Sequence, residues 1–321
     1  MVRKIGLVVG FTLVVAMVSV MSTAVAQDYP SLSTPPQLEQ TGKNDVAVVV
    51  GIENYLFLPD VEGVREAVND WQTFFVDGLG ISPENMYILL DSRATREEMR
   101  HVVHRAATDV GEEGTLWFVF IGHGAPMVSG EGGVLVGVDA EAEWQILEMR
   151  GLRRAELVKA LEQGDQARTM VVFDADFGAQ SPSGESFLGL RMLTVPYSLV
   201  IDEGFERRDS TMLMSAAGDQ QVAGLLPGNR RPAFSYVLLG ALRGWAATDG
   251  EVTLSAAMEY AGRKIEHLEH RQTPYFVGDE DAVLVRGATE EDPKLAEIIR
   301  TARRGPEDSE EMEDSEEMEE P

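Results

Sequence analysis

The chain has no cysteine in its 321 residues. That absence removes disulfides, thiolate metal sites and thiol nucleophiles together, so the fold must rest on an ordinary apolar core, which a chain of this length can supply. Positive charge is also scarce: 27 Lys and Arg stand against 54 Asp and Glu, a formal net charge of −27. Nucleic acid and anionic membrane surfaces are poor partners for such a chain, whereas basic ones are compatible with it.

What is present begins with a leader. Arg3 and Lys4, an apolar run from Ile5 to Met21 and an Ala24-Val25-Ala26 ending match a secretory signal over residues 1–26, predicting cleavage after Ala26 and export to a periplasm or the exterior. Cleavage leaves no stable membrane insertion and, by removing Arg3 and Lys4, takes the formal charge from −27 to −29. The alternative is an uncleaved anchor, although the run falls short of the ~20 residues that span a bilayer.

Residues 27–44, rich in Pro, Ser and Gln, read as a linker. Residues 45–287 alternate apolar strands, over 45–52, 85–91, 115–125, 169–176 and 210–218, with helical patterns over 62–79, 92–109, 152–163, 232–245 and 253–270. A Gly-rich hairpin is expected over 129–139, a short last strand over 282–287, and a capping box from Thr95 and Glu98. This alternation predicts one α/β domain, a three-layer αβα sandwich with a mostly parallel sheet. Trp71, Phe74 and Phe75 are expected to bury the first helix against the sheet, and Trp117, Phe118 and Phe120 to lie in its core. Residues 288–321 form an acidic tail: "DPKLAEIIRTARR" reads as a short helix, and "EDSEEMEDSEEMEE", with ten carboxylates and no aromatic, as disordered and solvated.

Candidate chemistry gathers where the strands end. "VFIGHGA" puts His123 between Gly122 and Gly124 after the third strand, and "VVFDADFGA" puts Asp174 and Asp176 at the end of the fourth. Open α/β sheets carry their sites at the carboxyl ends of strands, and neighbouring strands about 4.8 Å apart bring two such ends together. The glycines permit a tight turn and close approach, which would let the Gly124 amide face an oxyanion. His101 with His104, and His267 with His270, are spaced three apart on helices but read as solvated faces, and no metal site is expected. "SPSGESFLGLRMLTVPYSL", residues 181–199, follows the site as a loop.

In order along residues 46–287, these landmarks resemble the caspase-like cysteine peptidases, the family of caspases, metacaspases and bacterial C14-type relatives. "GIENYLFLPDVEGVREAVND", with Asn69-Asp70, is similar to the family's opening helix region, and "LLDSRATREEM" to its second strand and helix. "VFIGHGA" resembles the histidine motif and "VVFDADFGA" the Asp-x-Cys-x-Ser-Gly motif; "MSAAGDQQVA", "FSYVLLGALRG" and "RQTPYF" fit later landmarks of bacterial members. The resemblance implies that His123 is the general base or acid, Asp174 a specificity aspartate favouring a basic side chain, and Asp176 the occupant of the nucleophilic cysteine's position. Asp70 and Ser215 are further cleft candidates for peptide binding; Asp70 reads equally as a capping or solvated helix residue. Here the chain departs from the family: the cysteine is an aspartate, the motif serine is Gly178 or Ala179, and Arg65 does not fall on the position of the arginine that reads acidic substrates.

A carboxylate attacking a peptide would form a mixed anhydride and carry fixed negative charge toward a developing oxyanion, so the family's route to peptide cleavage is disfavoured. Pairing of Asp176 with His123 would raise the histidine pKa and lower the aspartate's. The expected function is therefore that of an exported pseudopeptidase, without cofactor, binding a peptide or protein partner, of basic character if Asp174 reads it. One alternative is a hydrolase in which Asp176 and His123 activate water. Another is a magnesium-dependent phosphohydrolase of the haloacid-dehalogenase type, using Asp174 and Asp176 with Ser215, Lys264 and the "GDED" of residues 278–281.

Overall fold

The computed structural model describes residues 29–39, 41–127, 132–175, 177, 207–218, 221–268 and 272–304. The leader, Asp176, His270, most of the stretch after the site and the acidic repeat lie outside these residues.

Strands β1 (Val46–Gly51), β2 (Met86–Leu90), β3 (Thr115–Ile121), β4 (Gly124–Pro126), β5 (Gly133–Leu135), β6 (Leu152–Arg153), β7 (Arg168–Asp174), β8 (Thr211–Ser215), β9 (Glu251–Thr253), β10 (Tyr275–Val277) and β11 (Val283–Arg286) form three sheets. The main sheet has the order β10-β8-β7-β3-β1-β2 and is parallel except for β10, which runs antiparallel to β8. Its central strands are continuous apolar runs because both faces are covered; β1 and β3 are buried at every position.

The helices are α1 (Val64–Thr73), α2 (Arg96–Asp109), α3 (Trp144–Arg150), α4 (Arg154–Leu161), α5 (Ala233–Gly240), α6 (Leu254–Ile265) and α7 (Leu295–Arg304). Both α1 and α2 pack on β1; α1 continues to α5 and α6, and α2 to α4, giving the two outer layers of a three-layer α/β sandwich. Thr95 caps α2 by accepting from the Glu98 amide at 3.3 Å. Trp71 and Phe75 stack, and Phe75 meets Trp117 with ring centroids 5.4 Å apart, so these aromatics belong to the core.

Two stretches flanking the strand–helix alternation pack on the domain. The stretch expected as a linker is docked: Leu32 is buried, the Tyr29 hydroxyl donates to the Pro227 carbonyl at 3.0 Å, and Tyr236 donates to Pro30 at 2.7 Å. Beyond residue 287 the chain also stays on the domain, with Leu295 and Ile299 buried and Lys264 paired to Asp292 at 2.5 Å. Arg243 holds both ends, donating to the Leu32 carbonyl and Thr34 and pairing with Glu290. A polar, proline-rich composition hid these anchors, which are single apolar side chains and backbone carbonyls. Among the described residues, no helix is long and apolar enough to cross a membrane.

Candidate functional site

The parallel register sets the site. Ile121 pairs with Asp174 across β3 and β7, so the histidine two residues beyond Ile121 and the aspartate ending β7 emerge together at the carboxyl edge. The Gly122 amide donates to the Asp174 carbonyl at 3.3 Å, and the Ile52 amide to Ile121 at 3.0 Å, tying the strand ends.

His123 is buried and fixed from the loop after β1. Its backbone amide donates to the Tyr55 hydroxyl at 2.8 Å, and the Tyr55 ring lies 4.7 Å from the imidazole. A side chain at Gly122 would put its Cβ 2.6 Å from that hydroxyl, which is why the histidine must follow a glycine. The His123 Nε2 lies 2.7 Å from the Pro59 carbonyl oxygen. A carbonyl only accepts, so Nε2 carries the hydrogen and Nδ1 is the basic nitrogen of the neutral ring. Burial lowers the His123 pKa to about 4, against the smaller opposing pull of the Pro59 carbonyl and Asp60. Desolvation is the largest of these influences and favours the neutral ring, while the expected partner, Asp176, lies outside the described residues.

The loop that positions His123 is itself braced. Asp91, ending β2, accepts from the Glu53 and Asn54 amides at 2.8 and 3.0 Å and pairs with Arg65 at 2.5 Å, while Asp60 accepts from the Tyr55 amide at 3.1 Å. Tyr55, Pro59 and Asp60 carried no sequence signal beyond belonging to "IENYLFLPD", since the histidine that Tyr55 and Pro59 hold lies more than 60 residues further along the chain.

Asp174 is also buried. Its Oδ2 accepts from the Ser235 amide at 2.7 Å, in the first turn of α5. Pro232, which precedes that helix, has no side chain able to cap it, so the strand-end carboxylate does so from 61 residues away. Burial pushes the Asp174 carboxyl up to about 6, in spite of hydrogen bonding from Ser235. The two residues line one narrow pocket with Ile121 and Gly122, walled by Val61, Leu225 and Pro232, with room for about one water.

The remaining candidates separate. Gly124 opens β4 opposite Leu135; hydrogen bonds at His123–Val136 and Met127–Gly132 alternate past it, so its amide points away from β5 and outside that ladder. Ser215 ends β8 beside Phe173, buried, with its hydroxyl toward the Ala217 carbonyl at 3.4 Å. Asp70 forms a buried ion pair with Arg231, which also holds Glu66 at 2.9 Å. Neither Ser215 nor Asp70 is among the described residues lining the pocket. His101 and His104 are exposed on α2. The phosphohydrolase parts do not assemble: β10 runs antiparallel to β8 with Val277 beside Leu213, so residues 278–281 continue toward the amino ends of the strands, and Lys264 is held by Asp292.

No family model and no curated protein matches the chain. Among solved structures it is similar to caspase-1 from Spodoptera frugiperda, with a TM-score of 0.52 and 11% identity over 80% of this chain and 97% of that one. A protein from Geobacter sulfurreducens aligns with a TM-score of 0.49 and 16% identity over 78% of this chain and 96% of that one. The likeness to the insect caspase establishes a caspase-like α/β fold.

Proposed function

We propose that this caspase-like fold serves as an exported pseudopeptidase, which binds a basic segment of a peptide or protein at the Asp174 pocket and does not cleave it. The observation that carries the reading is that a cysteine-free chain retains a histidine and a buried acidic pocket at one strand edge. The likeness of "VVFDADFGA" to the cysteine motif supports placing Asp176 where the nucleophile belongs. An aspartate there keeps a negative charge and loses the acyl chemistry that a thiolate provides. The Asp174 carboxylate, which lines the pocket, supplies an acceptor for an ammonium or guanidinium, and the leader at residues 1–26 supports export.

The narrowness of the pocket means that an incoming lysine or arginine must displace the Leu225–Pro232 wall. Otherwise identical fluorescent peptides carrying Arg, Lys, Gln or Glu at one position test the reading by anisotropy and mass spectrometry. The basic peptides should bind at least tenfold tighter than the Gln peptide, lose that preference in Asp174→Asn, and remain intact. Cleavage that disappears in His123→Ala, or equal binding of all four peptides, would overturn it.

A further inference from the structure

Three arginines are buried among the described residues, and two of them have evident partners. Arg231 pairs with Asp70 and Glu66; Arg243 pairs with Glu290 and donates to Leu32 and Thr34. Arg154, opening α4, is 9% exposed and makes no hydrogen bond or ion pair with any described residue; its Nε is fully enclosed. Its guanidinium lies over the Phe177 ring at 4.3 Å, and Gly133 makes the space: a Cβ there would fall 2.7 Å from Phe177 and 3.3 Å from Arg154 Nε.

Described carboxylates on the flanking elements are committed elsewhere. Glu148 pairs with Arg153, Glu156 with Arg96 and Arg100, and Asp139 with Arg150. A guanidinium removed from water without a counter-ion is costly, and a cation–π contact offsets only part of that cost. Of the guanidinium nitrogens only Nε is among the enclosed atoms lacking a partner, so the Nη end is the part left for a ligand to reach.

We propose that Arg154 is a receptor for a carboxylate carried on a peptide segment. A planar carboxylate matches the fork in two parallel hydrogen bonds, and its single charge balances the arginine, whereas a phosphate dianion would leave net negative charge at a mostly buried position. The site lies at the cleft's rim, because the β4–β5 hairpin begins directly after His123 and Phe177 follows Asp174 by three residues. It stands whether or not Asp174 takes a cation. Two sources share this chemistry: the ten carboxylates beyond Arg304, and an acidic segment of another chain.

The probe is a labelled peptide of sequence EDSEEM, which has no basic residue, beside its all-amide counterpart NQSQQM. Both are titrated into the full-length chain and into a full-length variant with its ten tail acids changed to amides. The tail-neutral protein should bind the acidic peptide and not the amide one, with at least tenfold weaker binding in Arg154→Met and severalfold weaker binding in Arg154→Lys, which keeps the charge but loses the fork. Severalfold weaker binding by the unaltered full-length chain identifies its own tail as the occupant; equal binding assigns the site to another chain. Absence of binding, or binding unchanged in both arginine variants, overturns the proposal and leaves Arg154 to water.

Discussion

Arg231 and Arg154 are both buried, and each lies against an aromatic face, Tyr236 at 5.0 Å and Phe177 at 4.3 Å. Around Arg231 the charge is closed by Asp70 and Glu66, and the loop it belongs to is braced by Tyr29 on Pro227. Around Arg154 the ring is present, and no carboxylate of a described residue pairs with it. A ring can orient a guanidinium without neutralising it, so the aromatic contact is common to both regions and the counter-ion distinguishes a strut from a receptor.

The largest effect should come from breaking the closed side. Asp70→Ala strands Arg231 with only the exposed Glu66, and breaking a buried pair in this way costs about 3–5 kcal/mol, read as a lower urea midpoint at unchanged slope. Stability indistinguishable from wild type would mean that Glu66 alone neutralises the arginine.

Next in size is a pH effect in which two groups oppose one another. His123 has a folded pKa near 4, below its ordinary 6.5, so it withdraws stability as pH falls from about 6.5 toward 4. Asp174 has a folded pKa near 6, above its ordinary 3.8, so it favours folding at low pH and withdraws that contribution as pH rises from about 4 to 6. Each is worth about 3 kcal/mol, and in wild type their contributions largely cancel across pH 4–6.5. Asp174→Asn should expose a steep loss of stability toward acid over that window, and His123→Gln the opposite slope; parallel denaturation curves for all three proteins would remove this account.

The smallest effect belongs to the open side. Arg154→Met, which keeps an apolar stem over Phe177, should change stability by less than about 0.5 kcal/mol or raise it, since no ion pair with a described residue is lost. A loss comparable to that of Asp70→Ala would show that Arg154 is a strut after all.

The sequence announced the parts of this arrangement that depend on local pattern. The buried runs of β1, β3 and β7 were legible as strands, and with them the positions of His123 and Asp174 at one edge. The uses of these residues were not legible, because their partners lie far along the chain: Ser235 is 61 residues from Asp174, Pro59 is 64 from His123, and Arg231 is 161 from Asp70. Arg153 and Arg154 are chemically identical neighbours in "LRRAEL"; only packing makes the first a surface residue paired with Glu148 and the second a buried one over the Phe177 ring, with no ion pair to a described residue. Asp70 read as a cleft candidate because an interior helix aspartate looks the same whether it meets a ligand or a buried arginine.

The grip of Arg243 has a mechanical consequence. One guanidinium reaches the backbone at residue 32 and the carboxylate at residue 290, so it clasps two segments that flank the strand–helix alternation in sequence. Neither segment can peel away without breaking a bond to the same buried charge, so the two should lose their order together.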